Sequence, residues 1–253
     1  MSERLPAWAH DAATAVIFLT RLPVPWTVPD VADRIHRCTP WFPAVGVLVG
    51  GIGALAWWLA ALVWPPVIAA IVAVAVTALA TGAFHEDGLA DTFDGLGGSP
   101  DRERALDIMK DSRVGTYGVT ALVLVLAGRV AALTALGGAA PAALIGAHSL
   151  ARCSSLPPIR WLNYARREGG TGKPFAGGIT LNGLIAALAA TALLTVVLFG
   201  NVAVVTWIAG AVGAGLIVAW SRARLDGITG DTLGAANQIA ELAVYLALLA
   251  ALG

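Results

Sequence analysis

Seven apolar stretches, each about long enough to cross a bilayer, dictate what this chain can become: about 43–63, 66–84, 115–136, 139–157, 180–199, 202–220 and 232–252. A hydrocarbon core of about 30 Å takes about 20 apolar residues of helix per crossing. In lipid only helices and closed barrels satisfy the backbone, and these Ala/Leu/Val-rich stretches lack strict alternation, so they read as helices. The composition agrees, with 58% hydrophobic and 13% charged residues and a mean hydropathy of +0.77. Soluble domains carry about 25% charged residues. The expected fold is all-α: a polytopic membrane helical bundle of about seven transmembrane helices, in one domain spanning 1–253.

Trp64-Pro65-Pro66 separates the first two stretches and predicts a tight helical hairpin. Gly46, Gly50, Gly51 and Gly53 allow close helix contact. An amphipathic or interfacial helix is expected at about 8–22, and the short run Ala12 to Leu22, which leads into Pro23-Val24-Pro25, does not read as a cleavable signal peptide. Cys38 and Cys153 have no metal-binding spacing and read as reduced thiols.

Charge placement orients the bundle. Arg4, Arg21, Arg34 and Arg37 precede the first span, and further basic residues fill the loops 85–114, 152–179 and 221–231. The intervening turns hold none, and of 16 basic residues only Arg129 falls inside a span outside this pattern. The positive-inside rule then puts the N-terminus and the three long loops in the cytoplasm, in the inner membrane. The net charge of zero gives no reason to expect nucleic acid as a partner.

Acidic residues mark the chemistry. Eight fall between Glu86 and Asp111, most densely in His85-Glu86-Asp87-Gly88-Leu89-Ala90-Asp91-Thr92-Phe93-Asp94. Asp87, Asp91 and Asp94 are spaced i, i+4, i+7, and share one face if the second span continues as helix. Like charges on one face repel, and a divalent cation relieves that repulsion. Mg²⁺ suits such a site because it takes carboxylate and phosphate oxygens and retains water. The plainer alternative is a solvated helix end. A second acidic site runs from Asp226 to Asp231, followed by Asn237 and by Glu241 within the last span. An ionisable residue at that depth faces the protein interior. Asp226 can instead cap a turn, and Asp231 can N-cap the last helix. Between the two lies Lys110-Asp111-Ser112-Arg113-Val114-Gly115-Thr116, after a short helix from Asp101 to Met109. Lys110 and Arg113 suit phosphate, and Gly115 and Thr116 open a long helix whose amides attract anions; ordinary membrane anchoring is the alternative. Arg129 needs an acidic partner, for which Glu241 is a candidate, and His85 is a candidate base or ligand. His148 reads as a packing or hydrogen-bonding residue. Together these residues describe a cytoplasm-facing Mg²⁺–carboxylate centre with phosphate binders, suited to phosphoryl or phosphodiester transfer.

Several motifs, in order along almost the whole chain, resemble the cobalamin synthase (adenosylcobinamide-GDP ribazoletransferase) family. They are Phe18-Leu19-Thr20-Arg21-Leu22-Pro23-Val24-Pro25, Phe42-Pro43-x-x-Gly46, the run Gly82 to Gly98, Arg104 to Gly118, and Asp226-Gly227-Ile228-Thr229-Gly230-Asp231. The loop from Arg166 to Phe175 matches more loosely. The resemblance implies Mg²⁺-dependent attack by the 5′-hydroxyl of α-ribazole, or of its 5′-phosphate, on adenosylcobinamide-GDP, with release of GMP. It assigns Glu86, Asp87, Asp91 and Asp94 to Mg²⁺ and diphosphate, and completes the site with Asp226, Asp231 and Glu241. Asp87, Asp91, Asp94 and Asp231 are the catalytic candidates. Substrate binding falls to His85, Lys110, Asp111, Ser112, Arg113, Gly115, Thr116 and Asn237, with Arg21 and Arg129 in support. Self-association or docking of pathway enzymes is compatible with the sequence, which carries no evident docking motif.

Two rivals remain at this level. Asp87-Gly88-Leu89-Ala90 resembles the start of the CDP-alcohol phosphotransferase motif, but Asp91 stands where that motif has Arg. A divalent-cation transporter would use Arg129 and Glu241 along a pathway, but most acids lie in a loop and no repeat is evident.

Overall fold

The computed structural model describes residues 5–166 and 178–252. An interfacial-length helix, α1 (Ala7–Leu19), and a short turn of helix, α2 (Val31–Arg34), precede the bundle. The bundle itself comprises α3 (Phe42–Ala61), α4 (Pro66–Thr81), α5 (Phe84–Gly98), α6 (Arg102–Ile108), α7 (Thr116–Leu136), α8 (Ala140–Ser154), α9 (Leu156–Trp161), α10 (Leu181–Phe199), α11 (Ala203–Leu225) and α12 (Gly230–Leu252). Among the described residues there is no strand, only an isolated parallel bridge between Tyr164 and Ile228.

Each of the seven apolar stretches is helical, as α3, α4, α7, α8, α10, α11 and α12. Length and composition qualify four helical runs to cross a membrane, or five if α4 and α5 form one bent span; seven crossings are therefore not established. The difference arises because Thr116–Trp161 and Leu181–Leu225 are each one continuous helical run that holds two of the stretches, and because α4 alone is only 16 residues long. Pro65 and Pro66 build the first hairpin: Pro65 is extended, and Pro66 begins α4 where its missing N–H costs nothing. Glycines with positive φ, Gly137 and Gly200, turn the chain between α7 and α8 and between α10 and α11. The second apolar stretch does not continue straight into the acidic segment. Gly82 and Ala83 both adopt left-handed conformations, and α5 leaves α4 at 89°. We read the apolar span as ending at that bend.

Backbones meet where side chains are absent. On α3, a Cβ at Gly50 would stand 2.5 Å from the Leu144 carbonyl oxygen, and one at Gly46 would collide with the His148 carbonyl. Helix α12 packs against α5, α7, α8 and α11 and is the centre of the bundle. Large apolar residues such as Leu79 and Val197, 75% and 74% exposed, cover the outside, as lipid contact requires.

At one end the three polar loops converge. Arg102 donates to the carbonyls of Leu225 (3.0 Å) and Ala165 (2.5 Å), and Arg224 to that of Ser99. Ala165 N–H bonds Ile228 O at 2.8 Å, and Ile228 N–H bonds Asn163 O at 2.9 Å. These contacts bring the start of the 162–166 segment beside the first turn of α12.

Candidate active site

The site forms where α5 crosses the start of α12. A Cβ at Gly88 would lie 2.8 Å from the Asp231 carbonyl oxygen, so only glycine lets the helices approach this closely. The crossing brings Asp87 and Asp91 of the first acidic motif near Asp231 of the second. Burial pushes Asp91 up to about 7, and repulsion from Asp87 and Asp231 adds to the effect. Asp231 is free to face this cluster because Thr229, not Asp231, caps α12. The Thr229 hydroxyl accepts from Thr232 N–H at 3.1 Å, and Thr232 Oγ1 accepts from Thr229 N–H at 2.9 Å. Asp231 Oδ2 instead accepts from Arg166 Nη2 at 2.5 Å. Arg166 was singled out by sequence only as the edge of a loosely matching loop; the rest of that loop through Phe175 lies outside the described residues. Asp226 is exposed and holds the left-handed C-cap of α11.

Not every predicted acid joins this cluster. Asp94 shares the α5 face but turns both oxygens onto the start of α7, accepting from Gly115 N–H (2.6 Å) and Gly118 N–H (2.8 Å). The anion expected at that helix start is therefore the protein's own carboxylate. Thr116 is the exposed first residue of α7, and Lys110, Ser112 and Arg113 are exposed in the preceding turn. Arg113 pairs with its neighbour Asp111 at 2.6 Å, and Lys110 lies 3.8 Å from Asp107.

Glu86 and Glu241, expected among the metal-binding acids, belong to a buried charge network instead. Glu86 is a neighbour of Asp87 in sequence, but on a helix adjacent residues face different ways. Arg129 forms an ion pair with Glu241 Oε1 at 2.6 Å, donates to Gln238 Oε1 at 2.8 Å, and reaches Glu86 Oε1 at 3.4 Å. Gln238 in turn donates to Glu86 at 3.1 Å, and the Tyr245 hydroxyl to Glu241 at 2.9 Å. His148 lies 3.2 Å from Glu241 and 3.0 Å from Arg152. Arg152, counted by sequence among loop residues, is thus buried in α8. Sequence reasoning anticipated the Arg129–Glu241 pair and missed Gln238, Arg152 and Tyr245. Gln238 was signalled only by its i−3 position to Glu241 on a helix.

Beside the acidic cluster lies a cleft of about 570 Å³, between α1 and the α4–α5 bend, with Arg21 and Asp87 on its walls. Phe18 and Phe84 separate it from a narrower slot that His85, Arg152 and Asn237 line. Among the described residues no three His, Cys, Asp or Glu side chains are already gathered in a metal-binding group. The carboxylates with the chemistry to hold a cation are Asp87, Asp91 and Asp231, two of them on α5 and one on α12.

Residues 11–249 match the family described as cobalamin-5-phosphate synthase. The chain belongs to that family. Cobalamin-5-phosphate synthase relatives include the adenosylcobinamide-GDP ribazoletransferase of Leptothrix cholodnii, 46% identical over 97% of this chain and 98% of its own. That of Rhizobium etli is 43% identical over 98% of this chain and 100% of its own. A third, from Vibrio cholerae, is 40% identical over 93% and 92%. No solved structure matches this cobalamin-5-phosphate synthase family member.

Proposed function

We propose that this chain is an adenosylcobinamide-GDP ribazoletransferase. The 5′-hydroxyl of α-ribazole, or of its 5′-phosphate, attacks the cobinamide-linked phosphorus, GMP leaves, and adenosylcobalamin or its 5′-phosphate forms. The observation that carries this reading is the meeting of two distant acidic motifs at one helix crossing, in a chain whose full-length relatives bear that name.

The donor set fits Mg²⁺, which uses one or two carboxylates and takes its remaining oxygens from substrate phosphate and water. That economy suits a site with Asp87, Asp91 and Asp231 close enough to act on one another. Bound there, Mg²⁺ supplies charge neutralisation to the diphosphate as its bond to GMP breaks. Asp91 has the raised proton affinity that a base for the acceptor hydroxyl needs near neutral pH. Arg166 holds Asp231 in place. Lys110 and Arg113, exposed in the turn before α7, are available to the guanosine diphosphate. The three converging loops and the N-terminus face the cytoplasm from the inner membrane, on the charge rule. The single domain is the whole span 1–253.

The test is transfer by purified protein in liposomes, given adenosylcobinamide-GDP, α-ribazole or its phosphate, and Mg²⁺, with GMP and the corrinoid product separated by chromatography. We expect product that EDTA abolishes and that Asp91→Asn reduces by about 100-fold or more. Unimpaired turnover in Asp91→Asn would remove the acidic cluster from the mechanism. Release of CMP from a CDP-alcohol would instead place the chain among the phosphotransferases it partly resembles.

A further inference from the structure

Arg166 is fixed at its backbone and left open at its head. The hydrogen bonds that tie Asn163 and Ala165 to Ile228, and the Arg102 bond to the Ala165 carbonyl, pin the chain immediately before it. Gly227 lets that contact close, since a Cβ there would lie 2.5 Å from the Asn163 carbonyl oxygen. The Arg166 side chain is 10% exposed and that of Asp231 16%. The Arg166 charge also offsets part of the repulsion that Asp91 receives from Asp87 and Asp231. Yet the ion pair uses only half of each partner. Nη2 donates to Asp231 Oδ2 at 2.5 Å, whereas a guanidinium and a carboxylate commonly close two parallel hydrogen bonds. Arg166 Nε is buried with no hydrogen-bond partner. Asp231 Oδ1 accepts no hydrogen bond among the described residues; the bonds from Arg166 and from the Thr229 hydroxyl, at 3.3 Å, both fall on Oδ2. A buried N–H in this state is destabilising until an acceptor arrives. The two unused atoms are complementary to a cation–phosphate pair. A carboxylate oxygen takes a divalent cation, and a guanidinium N–H takes a phosphate oxygen.

We infer that Arg166 contacts the donor's diphosphate, exchanging Asp231 for phosphate oxygens when a divalent cation occupies the acidic cluster. In the unliganded protein the ion pair keeps the guanidinium beside the carboxylates. Asp231, once engaged with a cation, holds Arg166 less firmly, and Arg166 turns Nε and Nη2 together onto the phosphate. Arg166 thus opposes the cation alone and favours the cation with its nucleotide. The inference rests on the ribazoletransferase reading for the identity of the diphosphate, and it goes beyond the holding of Asp231. An arginine that only positions the carboxylate strengthens cation binding. One that exchanges partners competes with the cation for it.

Binding without turnover tests it. Full-length protein in nanodiscs of zwitterionic lipid is titrated with Mn²⁺, a substitute for Mg²⁺ at oxygen ligands, and free Mn²⁺ is read by electron paramagnetic resonance. GDP binding is then measured by equilibrium dialysis at saturating Mn²⁺. Relative to wild type, Arg166→Gln should bind Mn²⁺ alone about threefold more tightly, and GDP about tenfold or more weakly. Arg166→Lys keeps the charge and loses the fork, so it should leave Mn²⁺ affinity near that of wild type and still weaken GDP. It covers the case in which Arg166→Gln lacks an intact melting transition. No binding of Mn²⁺ or GDP by wild type, Mn²⁺ affinity unchanged or lower in folded Arg166→Gln, or GDP affinity unchanged in either folded variant overturns the exchange. Release of GMP from adenosylcobinamide-GDP, with GDP binding insensitive to both variants, would sink the exchange and leave the transferase standing. The expected binding pattern without GMP release would do the reverse.

Discussion

Asp91 holds its proton to about pH 7, whereas an ordinary aspartate titrates at 3.8, because it is half-buried among other acids. Between those values the unfolded chain binds fewer protons at this residue than the folded one. The stability of the metal-free protein should therefore fall as pH rises from about 4 to about 7. Replacing Asp91 by Asn removes that loss. At pH 8 without Mg²⁺ the inactive variant should melt a few degrees above wild type, at pH 4 at the same temperature, and added Mg²⁺ should close the gap by raising wild type alone. Equal melting of the two proteins at pH 8 would show that the repulsion is not stored in the fold. The i, i+4, i+7 spacing made the acidic face legible, but not the fate of its last member. The amides that occupy Asp94 belong to Gly115 and Gly118, more than 20 residues on, and no local pattern announces them. The same is true of Glu86, whose partners come from α7 and α12.

Apolar helices declare themselves by length; their contacts do so only where glycine marks them. Gly50 abuts the backbone of α8, while the neighbouring Gly51 has open space around it. Gly50→Val should destabilise the bundle by about 1–3 kcal/mol, and Gly51→Val should be tolerated. Melting in detergent with both variants separates a close helix contact from a general intolerance of bulk on α3. The bend between α4 and α5 was not legible. It depends on Ala83 adopting a left-handed conformation beside Gly82, and nothing about alanine signals this. The sequence reading ended the second span at about residue 84 and made the shared acidic face depend on the helix running on. The bend instead points α5 along α7 and α12, which is what brings Gly88 against Asp231.

The whole molecule gathers its polar loops at one end, as alternating basic loops required. Which compartment that end faces can be read directly, since both native cysteines, Cys38 and Cys153, are buried. Ser112→Cys should react with a membrane-impermeant maleimide in inverted vesicles and not in intact cells. Trp64→Cys, on the opposite hairpin, should do the opposite. The buried charge network carries a consequence for how the protein is made. Arg129 is synthesised roughly a hundred residues before Glu241, an interval of about 5–20 s at ordinary elongation rates. Throughout that interval α7 carries a guanidinium with no carboxylate from α12 to meet it. Glu86, already made and 3.4 Å from Arg129 in the finished fold, is the one acid of the network available to escort α7 into the bilayer until the last helix arrives.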